Sequence, residues 1–329
     1  MKIGILGATG AVGRQMIECL EEREIEVEEL RLFASTRSQG KHIPFGNKEI
    51  EIQVADEEKL QGLDYVLGAV SASLSKEYRP MIEKTGAVYI DNSSAFRLED
   101  DVPLVVPEIN GEDALHHHGV IANPNCSTII AMMALAPIAK LSPITDIIAC
   151  TYQAVSGAGM QGINELSEEI EAIDNGKEVQ PSVFPAQIAY NCIAQIGSFT
   201  DNGYTSEEMK MQNEGRKILH LPDLLVTCTC VRVPVYRSHS ISLTFRTKDP
   251  VSVEKAEMAV SSFSGVKLFT DHTVTPLETS DQDIVYVSRI RRDLTCDHGL
   301  SLWCCGDQIR KGAASNAVEI MEYLIHHNH

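Results

Sequence analysis

The sequence predicts an α/β protein of two domains. One is a parallel sheet covered by helices, and the other is an α+β domain built on a mixed sheet. Three observations predict this. The chain opens on a short apolar run, Lys2-Ile-Gly-Ile-Leu6, followed at once by Gly7-Ala-Thr-Gly10-Ala-Val-Gly13 and an amphipathic stretch. Strand, glycine turn and helix in that order form the first unit of a Rossmann-type, parallel-sheet dinucleotide domain. Apolar runs then alternate with helical stretches to about residue 122, the rhythm of a sheet with helices on both faces. Beyond about residue 225 the runs alternate apolar with polar side chains, as in a mixed sheet with one covered face. A length of 329 residues suits two domains. The expected division is 1–125 with 309–329, and 126–308.

Residues 2–6 read as a buried strand and 14–22 as the helix after it. The glycines between them let the backbone approach a pyrophosphate, which would sit on the helix N-terminus. A second strand, 29–34, runs into Ser35-Thr36-Arg37-Ser38. An NAD site places an acidic residue at that point for the ribose 2′-hydroxyl. Here the acid is absent and a guanidinium with flanking hydroxyls is present, which suits a 2′-phosphate and favours NADP; the alternative is a polar loop with a solvated Arg37. Residues 63–70 read as a core strand, 75–84 as a helix, and 87–90, 104–107 and 119–122 as further short strands. His116-His-His118 lies in a polar loop with no accompanying ligand set at metal-site spacing, so no metal is expected.

The stretch Asn123-Pro-Asn-Cys126-Ser-Thr128 joins the last of these strands to a long apolar helix that begins at Cys126 or just after it. A helix N-terminus carries partial positive charge and unpaired N–H groups, so a thiol placed there is favoured as thiolate and becomes a nucleophile. Position alone leaves two readings, a reactive thiol and a buried structural one.

A strand over 144–155 then leads into Gln153-Ala-Val-Ser156-Gly157-Ala-Gly159, and a helix over 162–173 ends at Asn175-Gly176. Residues 177–204 are punctuated by Pro and Gly and receive no assignment. Thr205 caps a helix to 219, whose Glu207, Lys210, Glu214 and Lys217 fall on one face and read as exposed ion pairs. Strands at 225–235, 239–245, 284–290 and 300–305, with a helix over 253–263, complete the second domain. Cys228 with Cys230, and Cys304 with Cys305, read as small core residues. Lys311-Gly-Ala-Ala-Ser-Asn316 opens a last helix, 317–325, expected to return to the first domain.

Composition sets limits on partners. A net charge of −18 argues against nucleic acid and against anionic membranes. No apolar run has the length of a membrane span, and the chain opens into a strand pattern without a signal peptide. Nine cysteines, an odd number with no C-x-x-C pair, fit reduced thiols in the cytoplasm. An anionic substrate would need a local basic pocket.

Several blocks in order resemble the aspartate-β-semialdehyde dehydrogenase family. They are Gly7-Ala-Thr-Gly-Ala-Val-Gly13, Asn123-Pro-Asn-Cys-Ser-Thr128, Thr151-Tyr-Gln-Ala-Val-Ser-Gly-Ala-Gly159, Glu207-Glu-Met-Lys210, Cys230-Val-Arg-Val-Pro-Val235 with Ser238-His-Ser240, and Lys311-Gly-Ala-Ala. The resemblance implies reversible, NADPH-dependent reduction of L-aspartyl-4-phosphate to L-aspartate 4-semialdehyde plus phosphate, a step toward lysine, methionine, threonine and diaminopimelate. It implies Cys126 as nucleophile, His239 as acid/base and Gln153 beside the substrate and Cys126. Arg232 would take the substrate α-carboxylate and Glu207 its α-ammonium, while Arg97, Lys210 and Asn125 would hold the phosphate. Cofactor contacts are implied for Gly7, Thr9, Gly10, Ala11, Val12, Arg37, Ser38, Ser156, Gly157 and Asn316. Ser315 departs from close relatives, where a large aromatic often precedes that Asn. The resemblance also implies a homodimer formed through the sheet of the second domain. The alternatives are N-acetyl-γ-glutamyl-phosphate reductase and a non-catalytic paralogue. On the residues alone, Arg232 and His239 are seven positions apart and would face opposite sides of one straight strand, so they converge only where the chain bends between 234 and 237.

Overall fold

The computed structural model describes residues 1–327 and divides the chain into two units, Met1–Asn125 with the segment from Ala313 onward, and Cys126–Gly312. The first unit runs β1 (Lys2–Leu6), α1 (Ala11–Glu22), β2 (Glu29–Phe33), β3 (His42–Phe45), β4 (Lys48–Gln53), α2 (Glu57–Leu60), β5 (Tyr65–Gly68), α3 (Ala72–Thr85), β6 (Val88–Asp91), α4 (Pro107–Asn110) and β7 (Val120–Ala122). The second runs α5 (Cys126–Ala139), β8 (Ile144–Gln153), α6 (Met160–Asp174), α7 (Ser206–Ile218), β9 (Leu225–Arg232), β10 (His239–Thr247), α8 (Val253–Ser261), β11 (Val266–Phe269), α9 (Pro276–Thr279), β12 (Val285–Arg292) and β13 (Gly299–Gly306). The last helix, α10 (Ser315–His327), belongs to the first unit.

The first unit holds a seven-stranded sheet in the order β3-β4-β2-β1-β5-β6-β7. All pairs are parallel except the β3–β4 hairpin. Ile3, Ile5, Leu32, Leu67, Ile90 and Ile121 fill its core, with Met16, Ile17 and Leu20 of α1 and Val318, Ile320, Met321 and Leu324 of α10. Arg23, just past α1, pairs with Glu319 and Glu322 of α10, the latter at 2.7 Å. Two readings of this unit need correction. Residues 104–107 are not a strand: Leu104 makes one isolated bridge to Ala122, and Pro107 opens α4, where its missing N–H costs nothing. The β3–β4 hairpin has no counterpart in the sequence reading, because its segment Lys48-Glu-Ile-Glu-Ile-Gln53 is half charged and carries little apolar signal.

The second unit holds a six-stranded sheet in the order β11-β12-β13-β10-β8-β9. β8 pairs parallel with β9 on one side and antiparallel with β10 on the other. The expected long strand 225–235 stops at Arg232, since Pro234 has no N–H for the ladder. Helix α5 is apolar on every side and buried along its length, packed against α7, α8 and the sheet. The second segment of the first unit begins at Ala313 rather than 309. Asp307 takes the N–H groups of Ile309 and Arg310 and the guanidinium of Arg237, which keeps 307–312 with the second unit.

Candidate active site

The second unit gathers its chemistry where three strands meet a helix start. Gln153 ends β8, Arg232 ends β9 directly beside it, and His239 opens β10 one position beyond the Ser240–Tyr152 pair. The chain bends between Pro234 and Arg237, as their convergence requires, so that Arg232 and His239 end up on strands that flank β8 from opposite sides. Cys126 is the first residue of α5, and its half-buried thiol lies with Sγ 3.4 Å from Nε2 of His239. The backbone N–H of Ala154 donates to Nδ1 of the same ring at 3.1 Å. A nitrogen that accepts carries no proton, so the ring proton sits on Nε2, facing the sulfur. Burial pushes the His239 pKa down to about 3 and the Arg232 charge adds to the shift, against an opposing pull from Glu207. The ring is neutral at physiological pH and is a donor toward Cys126.

Arg232 is buried and its Nη1 donates to the carbonyl of Ala154 at 2.6 Å. Burial lowers its pKa, and the facing Cys126 and Glu207 charges work the other way. Glu207 sits in the first turn of α7, behind a capping box between Thr205 and Glu208. Its carboxylate accepts from Lys210 Nζ at 2.7 Å and from Gln153 Nε2 at 3.2 Å, while Gln153 Oε1 is buried with no donor. The helix face read as exposed ion pairs is thus half interior: Glu207 and Glu214 are buried. Ser156 and Gly157 form part of the turn Val155–Ala158, and Ser156 Oγ accepts from Gln308 Nε2. Gln308 also accepts the N–H of Ser238, which is held at a φ of 73° just before His239. Nothing in the sequence pattern singled out Gln308 or Ala154.

The first unit carries a cleft of about 370 Å³ at the carboxyl ends of β1, β2 and β5. Gly7, Thr9, Gly10, Ser35 and Ser71 line it. Its glycines have distinct reasons. Gly7 has a φ of +79° and a Cβ there would lie 2.2 Å from the Ala69 carbonyl, and at Gly13 a Cβ would meet the Gly7 carbonyl at 2.2 Å. At Gly10 the nearest atom is 3.4 Å away, so the start of α1 is open to an approaching group. Ala11 and Val12 open that helix, and its first turn holds no acidic side chain to repel phosphate. Arg37 and Ser38 lie in a short 3-10 turn beyond β2, with Arg37 exposed. Arg97 is buried and donates to the carbonyls of Asn123 at 3.0 Å and Asn92 at 2.7 Å; Asn125 is buried at the end of the segment. Asn316 is fully buried, donates to Asn123 Oδ1 at 2.6 Å and Val105 O at 3.0 Å, and keeps an Oδ1 with no donor. An open helix start and an orphaned amide acceptor fit a dinucleotide that ends in a carboxamide.

Residues 2–117 match the family model described as semialdehyde dehydrogenase, NAD binding domain, and residues 135–311 match semialdehyde dehydrogenase, dimerisation domain. The aspartate-semialdehyde dehydrogenase of Synechocystis sp. is 45% identical over 329 residues, covering 99% of this chain and 97% of its own. That of Bacillus subtilis is 43% identical over 336 residues, covering 98% and 97%. The chain belongs to the aspartate-semialdehyde dehydrogenase family. The crystal structure of aspartate semialdehyde dehydrogenase II from Vibrio cholerae complexed with ASA superposes with a TM-score of 0.98 at 42% identity, covering 100% of this chain and 99% of that chain. The protein is accordingly an oxidoreductase of amino-acid biosynthesis that uses a nicotinamide dinucleotide. Its two family matches fall one in each unit, and the thiol–imidazole pair lies in the unit matched as the dimerisation domain. Among the described residues no helix is long and apolar enough to cross a membrane.

Proposed function

We propose that this enzyme catalyses the reversible, NADPH-dependent reductive dephosphorylation of L-aspartyl-4-phosphate to L-aspartate 4-semialdehyde through a thioester on Cys126. The observation that carries this is the Cys126 thiol at a helix N-terminus, 3.4 Å from an imidazole nitrogen that bears the proton. The Cys126 thiolate attacks the acyl carbon, the carbon–oxygen bond to phosphate breaks, and a thioester forms. Bound NADPH would supply the hydride that reduces this thioester carbon. His239 donates a hydrogen bond from Nε2–H to the resulting oxyanion, which then reforms the carbonyl as the carbon–sulfur bond breaks, releasing the aldehyde and the thiolate. The neutral, protonated-at-Nε2 ring suits this donor role better than removal of a proton from the thiol.

Arg232 takes the α-carboxylate in bidentate fashion and Glu207, oriented by Lys210 and Gln153, takes the α-ammonium. Gln153 Oε1, buried without a donor, adds an acceptor for the same group. Arg97, Lys210 and Asn125 are assigned to the phosphate. Residues 1–125 with the last helix hold NADP through Gly7, Thr9, Gly10, Ala11, Val12, Arg37, Ser38 and Asn316, and residues of the catalytic unit, Ser156 and Gly157, complete its contacts. Arg37 with Ser38, and no acid at the end of β2, support NADP over NAD. A homodimer is supported by Ile148, Tyr152 and Leu225, apolar side chains exposed together on one face of β8 and β9. Nine free thiols support a cytoplasmic enzyme.

The test is NADP reduction, followed by absorbance, with aspartate semialdehyde and phosphate, for the native chain and Cys126→Ala. Phosphate-dependent reduction in the native chain, lost in the variant, is expected. Reduction that needs no phosphate, or that survives in the variant, would overturn the mechanism.

A further inference from the structure

Residues 177–204 resisted assignment from sequence, yet part of this segment is core. Phe184, Ile188, Ala189 and Ile193 are buried with Val155 and Leu166. Irregular backbone inside a protein must find partners for its N–H groups. Two buried carboxylates one turn apart on α6 provide them. Glu165 accepts from Ser182 N at 3.0 Å, Ser182 Oγ at 2.6 Å, Val183 N and Phe184 N at 3.0 Å. Glu169 accepts from Ile188 N at 2.8 Å and Ala189 N at 2.7 Å. Burial works to raise the Glu165 carboxyl, but the bonds from Ser182, Phe184 and Val183 outweigh it and hold its pKa below the usual value. It is ionised at neutral pH.

This strap ends on the proposed carboxylate-binding residue. Ile193 and Arg232 exchange backbone hydrogen bonds at 3.0 and 2.8 Å. The Phe184 ring covers the Arg232 guanidinium, its centroid 5.7 Å from Cζ. One Arg232 nitrogen is fixed on Ala154 O at 2.6 Å. The other side-chain N–H groups have no protein acceptor among the described residues, and the residue borders a cavity of about 390 Å³ walled by Val183, Phe184, Gln195 and Ile196. A guanidinium fixed along one edge, covered on one face and open on a cavity is prepared to pair with a planar anion. The ring displaces water from the cation and thereby strengthens its pairing with a carboxylate.

We propose that Phe184 is a positioning residue that sets the affinity of Arg232 for the substrate carboxylate, and that Glu165 holds Phe184 in place. The proposal rests on the reading that Arg232 binds the α-carboxylate.

The experiment compares aspartate semialdehyde with 3-aminopropanal, the same aldehyde without its carboxylate, in the native chain, Phe184→Leu and Phe184→Tyr. For Phe184→Leu we expect KM for aspartate semialdehyde to rise about tenfold with kcat within about twofold. Its kcat/KM for 3-aminopropanal should match the native chain, and Phe184→Tyr, which keeps a ring, should restore KM. Glu165→Gln, which keeps one acceptor oxygen, should show the same pattern at smaller size. An equal loss on both aldehydes, or no loss on either, would overturn the role of Phe184 and leave the carboxylate reading intact. A native chain that does not distinguish the two aldehydes would overturn the carboxylate reading and this proposal with it. Should Glu165→Gln fail to fold, the two Phe184 variants decide the matter.

Discussion

The N–H of Ala154 donates to Nδ1 of His239, and that one backbone bond settles which nitrogen faces Cys126 with a proton. The thiol and the imidazole are therefore not arranged as a base removing a proton from a nucleophile. In the proposed mechanism the Cys126 thiolate accepts from this neutral donor, and the positive charge nearby comes from Arg232 and the helix end.

The titration of His239 gives the first prediction. Its folded pKa of about 3 lies below the ordinary value of 6.5, so between those values the unfolded chain binds the extra proton. The stability that the neutral ring contributes is whole above pH 6.5 and declines as the pH falls toward 3, by up to roughly 1.4 kcal/mol per pH unit for one proton. Thermal unfolding followed from pH 7 to 4 should show a shallower slope in His239→Gln than in the native chain. Equal slopes would mean that His239 is not the buried neutral group described.

Gly312 lies against Cys126, the proposed nucleophile. A Cβ there would sit 2.9 Å from Cys126 Cβ and 3.3 Å from its Cα, and the latter is backbone that cannot swing away. Gly312→Ala should cost about 1–3 kcal/mol of stability by overpacking. A shift of the sulfur by about an ångström would lower kcat on the order of a hundredfold. Denaturant midpoints and steady-state rates on the same preparation check both.

Arg37→Ala tests the choice of dinucleotide. It should lower kcat/KM for NADP by about tenfold or more, the loss of a charge-assisted pair with a 2′-phosphate, while the value with NAD changes little. Equal losses with both cofactors would place Arg37 outside the 2′-phosphate site.

Ile148→Arg and Leu225→Glu place charge on the apolar face of β8 and β9 without touching the buried face of the same strands. Sedimentation velocity at micromolar concentration should show a dimer for the native chain and a shift to monomer for each variant. A dimer unaffected by either change would move the interface elsewhere.

Much of this was legible in the chain. The opening strand, glycine turn and helix were local, and local chemistry wrote them plainly. The start of α5 at Cys126 followed from an apolar run, a proline turn and a helical pattern. That Arg232 and His239 meet only through a bend at 234–237 was legible, but that β9 and β10 take opposite sides of β8 was not, because strand order is a long-range outcome. The strap around Phe184 was hidden for a related reason: its backbone partners are side chains of Glu165 and Glu169, so it carries no periodic pattern of its own. The run 104–107 misled because apolar character marks burial, and Leu104, Val105 and Val106 are buried without forming a strand.

The core of the first unit is closed by α10, whose thirteen residues come from the far end of the chain. A ribosome makes β1 and α1 long before α10, so the apolar faces of Met16 and Leu20 must wait for Val318 and Met321 before that core is complete. All of 126–312 has been made by then, so the unit begun first is the one finished last. A premature stop near residue 314 would leave every residue of the second unit in place and still damage the first, by leaving its sheet without the α10 cover.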